Sequence, residues 1–278
     1  PKRDWSSDVC SSDRAMVLGG SASVRAQGAP QRYVPLGPPA TRPASKPADL
    51  SGDWVFTPSE SRSVSDPRGA QRGSETDVPY RPEGLKKMLA ETPTTTKDAA
   101  LERTTDPITH YCEPHGVGRI FDYPSKAKFI QTPEAVYILH EVGPFWRVVW
   151  LNETHPEDPD PQYWGHSIGW YENNDTLVVD TVGFNDRTWL DHAAHPHSEN
   201  LHFIERYKRV DQNTIEISMT IDDPTYYTAA WPSRKMLRRS TTGFSRYQWV
   251  CSVRDNYEMY EKSYKDANPS GVTTFDKK

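Results

Sequence analysis

The chain of 278 residues is long enough for one large or two small domains, and its formal charge of −5 is spread without a long run of either sign. That balance excludes nucleic acid as a partner, because phosphate binding needs a clustered basic surface. No stretch approaches the roughly 18 apolar residues of a membrane-spanning helix.

Residues 3–13, RDWSSDVCSSD, have no apolar periodicity and resemble translated sequencing-adapter read-through, so Cys10 is set aside with them. Residues 15–30 read as the tail of a secretory signal, a short apolar piece followed by small residues, with a disordered Ala/Gly/Ser arm as the alternative. The expectation is export to a bacterial periplasm or beyond. In such a compartment the two remaining cysteines, Cys112 and Cys251, are expected to pair; two unrelated buried thiols are the alternative. Residues 1–49 are assigned to this remnant and a Pro-rich arm, 50–265 to a single β domain, and 266–278 to a disordered tail.

LSGDWVF at 50–56 is a short strand candidate, and helices are expected at 82–91 and 97–103. Residues 106–124 read as turn-forming. Aromatics make up 11% of the chain, with nine Trp and fourteen Tyr, mostly after residue 110, which favours a packed β core or a ring-walled cavity. Strands are expected at 126–132, 134–142, 145–151, 166–172, 175–182, 201–210, 214–222, 226–238 and 244–252. Their tight connections predict an all-β, antiparallel up-and-down barrel of lipocalin-like form, with a β-sandwich as the alternative. The basic run RKMLRR at 234–239 reads as a solvated strand face.

In such a meander, loops alternate between the two ends. The tight turns at 142–144, 172–175 and 211–213 would share one end, and the longer connections at 152–165, 183–200 and 222–225 the other. The long-loop end is then the expected mouth of a binding site. Strand phase places Ile215, Ile217, Met219 and Ile221 inward, and likewise Glu205 with Phe203 and Tyr207. It also turns His166 inward with Ile168 and Trp170, sends His202 outward, and leaves Asp180 undecided. His140 reads as a core histidine, and His192 and His195 as exposed loop residues.

A buried glutamate needs a partner or a raised pKa, so Glu205 is either a catalytic acid or half of a structural ion pair. The candidate catalytic set is His166, His197, Glu205 and Asp186, working by proton transfer. Arg187, Tyr163, Trp164, Trp170, Trp189 and His155 are expected to bind substrate. His195–Pro196–His197 with His155 or His166 could instead hold a divalent metal, but HExxH and cysteine-pair spacings are missing, so no cofactor is assigned. No GxSxG elbow supports a nucleophilic triad.

GHSIGWYENNDTLVVDTVGFNDRTWLD (165–191) followed by PHSENLHFIERYKRV (196–210) resembles a family of exported β-rich proteins of environmental and soil bacteria. The resemblance spans about residues 50–255, including LSGDW, both cysteine contexts and IDDP before Tyr226. It implies export and the β fold, without an activity. The family pattern covers the positions of His155, His166, His197, His202, Asp186 and Glu205. The chain departs from it in a longer turn at 170–175 and in Ser252 after the second cysteine, where an acidic residue is usual.

Together these features predict an exported enzyme with a His/Glu acid–base site at the barrel mouth. It would hydrolyse, eliminate or isomerise a small organic molecule such as a sugar derivative or plant aromatic. A non-catalytic binding protein for a hydrophobic or carbohydrate ligand is the rival, and a His-ligated metal enzyme a second one. Oligomeric state is left open.

Overall fold

The structure, a computed structural model, describes residues 47–57, 78–91, 106–123, 125–143, 145–245 and 251–252. Nine strands close into a barrel in chain order: β1 (Gly52–Phe56), β2 (Lys126–Gln131), β3 (Ala135–His140), β4 (Trp146–Leu151), β5 (His166–Glu172), β6 (Thr176–Val182), β7 (His202–Asp211), β8 (Thr214–Asp222) and β9 (Trp231–Arg239). The expected all-β barrel is therefore present, and the sandwich is not. The strand expected at 244–252 is not part of the wall at its described residues. Its place is taken by β1, which pairs antiparallel with both β2 and β9. Trp54 and Phe56 alternate into the core there, and Trp54 Nε1 donates to the Leu50 carbonyl at 2.8 Å.

Nine is an odd number, and an odd ring of neighbouring strands cannot be antiparallel throughout. The parallel pair falls at β4 and β5, with Val149 opposite Ser167 and Leu151 opposite Gly169. Such a pair needs a crossover of a dozen or more residues, and residues 152–165 supply it. This corrects the expected loop ends. The crossover runs the length of the barrel outside, and the β3–β4 turn joins the 183–200 and 223–230 connections at one end, called here the loop end.

The same crossover inverts the expected phase of β5. Ser167, Gly169 and Tyr171 share the inner face, whereas His166, Ile168 and Trp170 point outward. Ile168, Trp170, Val178 and Ile204 form a second apolar cluster on the outer wall. Apolar periodicity marks burial, and here the buried side of β5 is double. Gly169 is required inside, since a Cβ there would lie 2.6 Å from Val149 Cγ1. On β6, Leu177, Val179 and Thr181 point in, which places Asp180 on the outer face.

The mouth at the loop end is stoppered. Helix α1 (Pro82–Glu91) matches expectation, and the helix expected at 97–103 lies outside the described residues. The stretch read as turn-forming instead builds α2 (Pro107–Tyr111), α3 (Gly116–Arg119) and a 3-10 turn (Ile120–Asp122). Val117, Ile120 and Phe121 enter the main core with Phe56, Phe129 and Tyr207. The plug carries charge inside: Arg119 Nη2 meets Asp106 Oδ2 at 2.7 Å, and Lys235 Nζ meets Asp122 Oδ1 at 2.7 Å. Lys235 is thus an inward, buried member of the basic run, not part of a solvated face. Two voids beside the plug, lined by described residues, offer about 10 Å³ each, near the minimum for a single water.

Cys112, the residue after α2, is bonded to Cys251 at 2.03 Å. The bond ties the plug's leading helix to the segment that follows β9. Its sequence separation of 139 makes closure costly in the unfolded chain, so Cys112→Ser with Cys251→Ser should lose about 2–4 kcal/mol. Thermal unfolding should then occur about 5–15 °C lower. An unchanged melting temperature in the double variant would contradict that.

Candidate functional site

The expected catalytic residues divide among three places. The first is the barrel interior. Arg147 of β4 points inward and donates to Glu205 Oε2 at 2.5 Å, Thr181 Oγ1 at 2.6 Å and Ser167 Oγ at 2.9 Å. The Tyr207 hydroxyl donates to Glu205 Oε1 at 2.6 Å. Burial, and then the neighbouring Glu205 charge, push the Tyr207 phenol well above its ordinary pKa. Of the two alternatives for Glu205, this is the structural ion pair: the carboxylate is fully buried and bonded on both oxygens. It points to the opposite side of the wall from His166.

The second place is the loop end. His197 is buried, with Nε2 2.9 Å from Thr188 Oγ1, and burial lowers its pKa to about 4. Asp186 is exposed. Arg187 and the Tyr163 hydroxyl both bond the Glu113 carboxylate, and the guanidinium lies 5.6 Å from the Tyr163 ring centre. Burial and Glu113 push Tyr163 up to about 12. Trp164 stacks on His140 at 5.0 Å as part of the plug packing. Trp189 is buried and donates to Glu91 Oε2 at 2.5 Å.

His192 and His195 are not exposed loop residues. His195 is buried, its Nδ1 2.7 and 2.8 Å from the two Asp191 oxygens, with its ring beside Tyr80 and Trp231. Asp191 also accepts the Ala193 N–H at 2.9 Å, so it organises the turn that carries the histidine. The spacing of Asp191 and His195 in DHAAH was the available signal. His192 is half-buried, and its backbone N–H donates to Asp122.

The third place is the outer wall near the loop end. There His155 of the crossover, His166 of β5, Asp180 of β6 and His202 of β7 come together. His166 Nδ1 lies 2.9 Å from His155 Nδ1. His155 Nε2 lies 3.5 Å from Asp180 Oδ1, and His202 Nε2 lies 2.8 Å from the same oxygen. Register explains the convergence: Ile168, Asp180 and Ile204 form one cross-strand row, and His166 and His202 flank Val182 one pleat nearer the loops. His202 is on the outer face as expected, yet buried. Trp170 lies farther along that face, in the apolar cluster.

The electrostatics run in one direction along this row. Burial raises the Asp180 pKa, but the close approach of His155 and the hydrogen bond to His202 outweigh it, and the carboxyl is held below its ordinary value. At the other end His166 is half-buried, and burial together with His155 lowers its pKa. An anionic carboxylate thus stands behind a neutral, solvent-reaching imidazole, the order that orients a proton-transfer base. Among the described residues no three His, Cys, Asp or Glu side chains stand in an arrangement that could hold a metal ion. No known protein-family model and no curated protein sequence matches this chain.

Proposed function

We propose that this chain is an exported enzyme that transfers protons at the outer wall beside the loop end, acting on a small organic molecule by hydrolysis, elimination or isomerisation. The observation that carries the reading is the contiguous row His166, His155, Asp180, His202, contributed by the crossover and three strands, with only His166 reaching water. His166 is the general base or acid. His155 and Asp180 are positioning residues that set its tautomer, and His202 holds Asp180. Tyr163, three residues before His166, supplies a ring for the substrate, and the Arg187 guanidinium beside that ring is held by Glu113. The disulfide supports an oxidising compartment, and no described helix is long and apolar enough to cross a membrane.

The test is turnover on a panel of aryl esters, lactones and aryl glycosides. His166→Ala should reduce the rate about 10²–10⁴-fold, the usual worth of a positioned acid–base group. Because His166 is held neutral below the ordinary imidazole range, activity should persist into mild acid and fall only as pH drops further. Asp180→Asn should shift that acid limb, a change that lost packing alone would not produce. Activity indifferent to His166→Ala, or no turnover of any panel member, would overturn the reading.

A further inference from the structure

With its imidazoles neutral, the outer-wall row has one consistent placement of hydrogens. A carboxylate only accepts, so His202 Nε2, 2.8 Å from Asp180 Oδ1, carries its hydrogen. His155 and His166 meet through their Nδ1 atoms at 2.9 Å, where one nitrogen donates and the other accepts. The other nitrogen of His155, Nε2, faces the same Asp180 oxygen at 3.5 Å, with both side chains buried. Were that Nε2 bare, its lone pair would confront an anionic carboxylate where little water screens the repulsion. His155 Nε2 therefore carries the hydrogen, and His155 Nδ1 is the acceptor. His166 must then donate from Nδ1, and because a neutral imidazole holds one N–H, its Nε2 is bare. With Nδ1 taken up by His155, Nε2 is the nitrogen left to meet a substrate.

We infer that His166 begins the reaction as a base through Nε2, and that the substrate is an ester or lactone attacked by the water it activates. This rests on the proton-transfer reading of the row and narrows it. A bare nitrogen can take a proton, but it has none with which to protonate a leaving group at the outset. Glycoside cleavage begins with that protonation and uses two carboxylates flanking the bond. The row holds a single carboxylate, Asp180, fully buried behind the rings. Water attack, by contrast, begins with the base. Nε2 takes a proton from water as the oxygen bonds the carbonyl carbon, and the π electron pair moves onto the carbonyl oxygen. The pair then returns, the acyl C–O bond breaks, and His166 passes the proton to the departing oxygen, which restores the neutral ring. Carbon acids would further need a cation to hold the enolate, and the Arg187 guanidinium beside Tyr163 is held by Glu113.

Long-range proton–nitrogen NMR of the full chain at about pH 8, above the ordinary imidazole range, reads the tautomers directly. His166 should show a bare Nε2 and a protonated Nδ1, and His155 the reverse. Phenyl acetate and δ-valerolactone should be hydrolysed, while phenyl glycosides, which release the same phenol as the ester, stay intact. His155→Phe removes the acceptor, so His166 should return toward the Nε2–H form and ester hydrolysis should slow about tenfold or more. Should that variant fail to fold, the tautomers of the parent still decide. A hydrogen on His166 Nε2 overturns the inference whatever the rates show. So does His166-dependent cleavage of a phenyl glycoside, or deuterium exchange into a ketone without ester turnover; either leaves the proton-transfer reading standing. Turnover of none of these probes overturns that reading and this inference with it.

Discussion

Replacing Arg147 with methionine is expected to destabilise the protein by about 3–5 kcal/mol, the cost of leaving a buried charge without its partner. The loss would not come from a cavity, because methionine fills most of the arginine's stem volume. It would come from Glu205, which is fully buried and would keep only the Tyr207 hydroxyl. Ser167 and Thr181 would also lose their donor, although each still has the other at 3.0 Å. Adding Glu205→Leu removes the stranded charge, so the double variant should recover most of the stability and can exceed the parent. Urea unfolding of the parent, both single variants and the double variant measures this cycle directly. A loss below about 1 kcal/mol in Arg147→Met would show that water reaches the pair.

The second large effect is with acid. Four histidines are held neutral by burial: His115 and His140 titrate at about 3, and His192 and His197 at about 4. In the unfolded chain each would titrate near 6.5. Between those values the unfolded state binds more protons than the folded one, so stability is complete above about pH 6.5 and falls as pH drops. Near pH 5 the difference approaches four protons, or roughly 5 kcal/mol per pH unit if all four stay buried. Asp180, held below its ordinary value, adds to the loss at lower pH in the same direction. Unfolding free energies measured from pH 7 to 4.5 should show this slope, and His140→Gln should reduce it by about one proton. A flat profile across that range would mean that these rings ionise in the folded state.

Much of the wall was legible because strand alternation is a local signal. Ile215 to Ile221 and the Phe203–Glu205–Tyr207 face read correctly from phase alone. β5 misled for a physical reason: Ile168 and Trp170 are apolar because they are buried with Val178 and Ile204 on the outer face, and pattern reports burial without saying on which side. The plug was hidden because Gly116, Gly118 and Pro107 look like turn residues, and a helix of four or five residues has too few positions to show a period. Glu205 could be assigned a partner in kind but not by name, since Arg147 lies on a strand three places round the barrel. For the same reason Asp180 could not be linked to His155, His166 and His202. Their meeting depends on a crossover whose path the sequence does not encode locally.

The closing seam between β1 and β9 joins residue 54 to residue 239. A ribosome therefore releases most of the chain before any barrel can exist. Until the last strand arrives, β1 and β8 each present an open edge of unpaired amides and carbonyls, the kind of surface on which chains aggregate. The disulfide partner Cys251 follows that last strand in sequence, so the bond, like the seam, must wait for that strand to be made. Closing this barrel needs pairing between strands far apart in sequence, the kind of contact that forms slowly. A nascent chain cut short before residue 231 would be all edge and no enclosure.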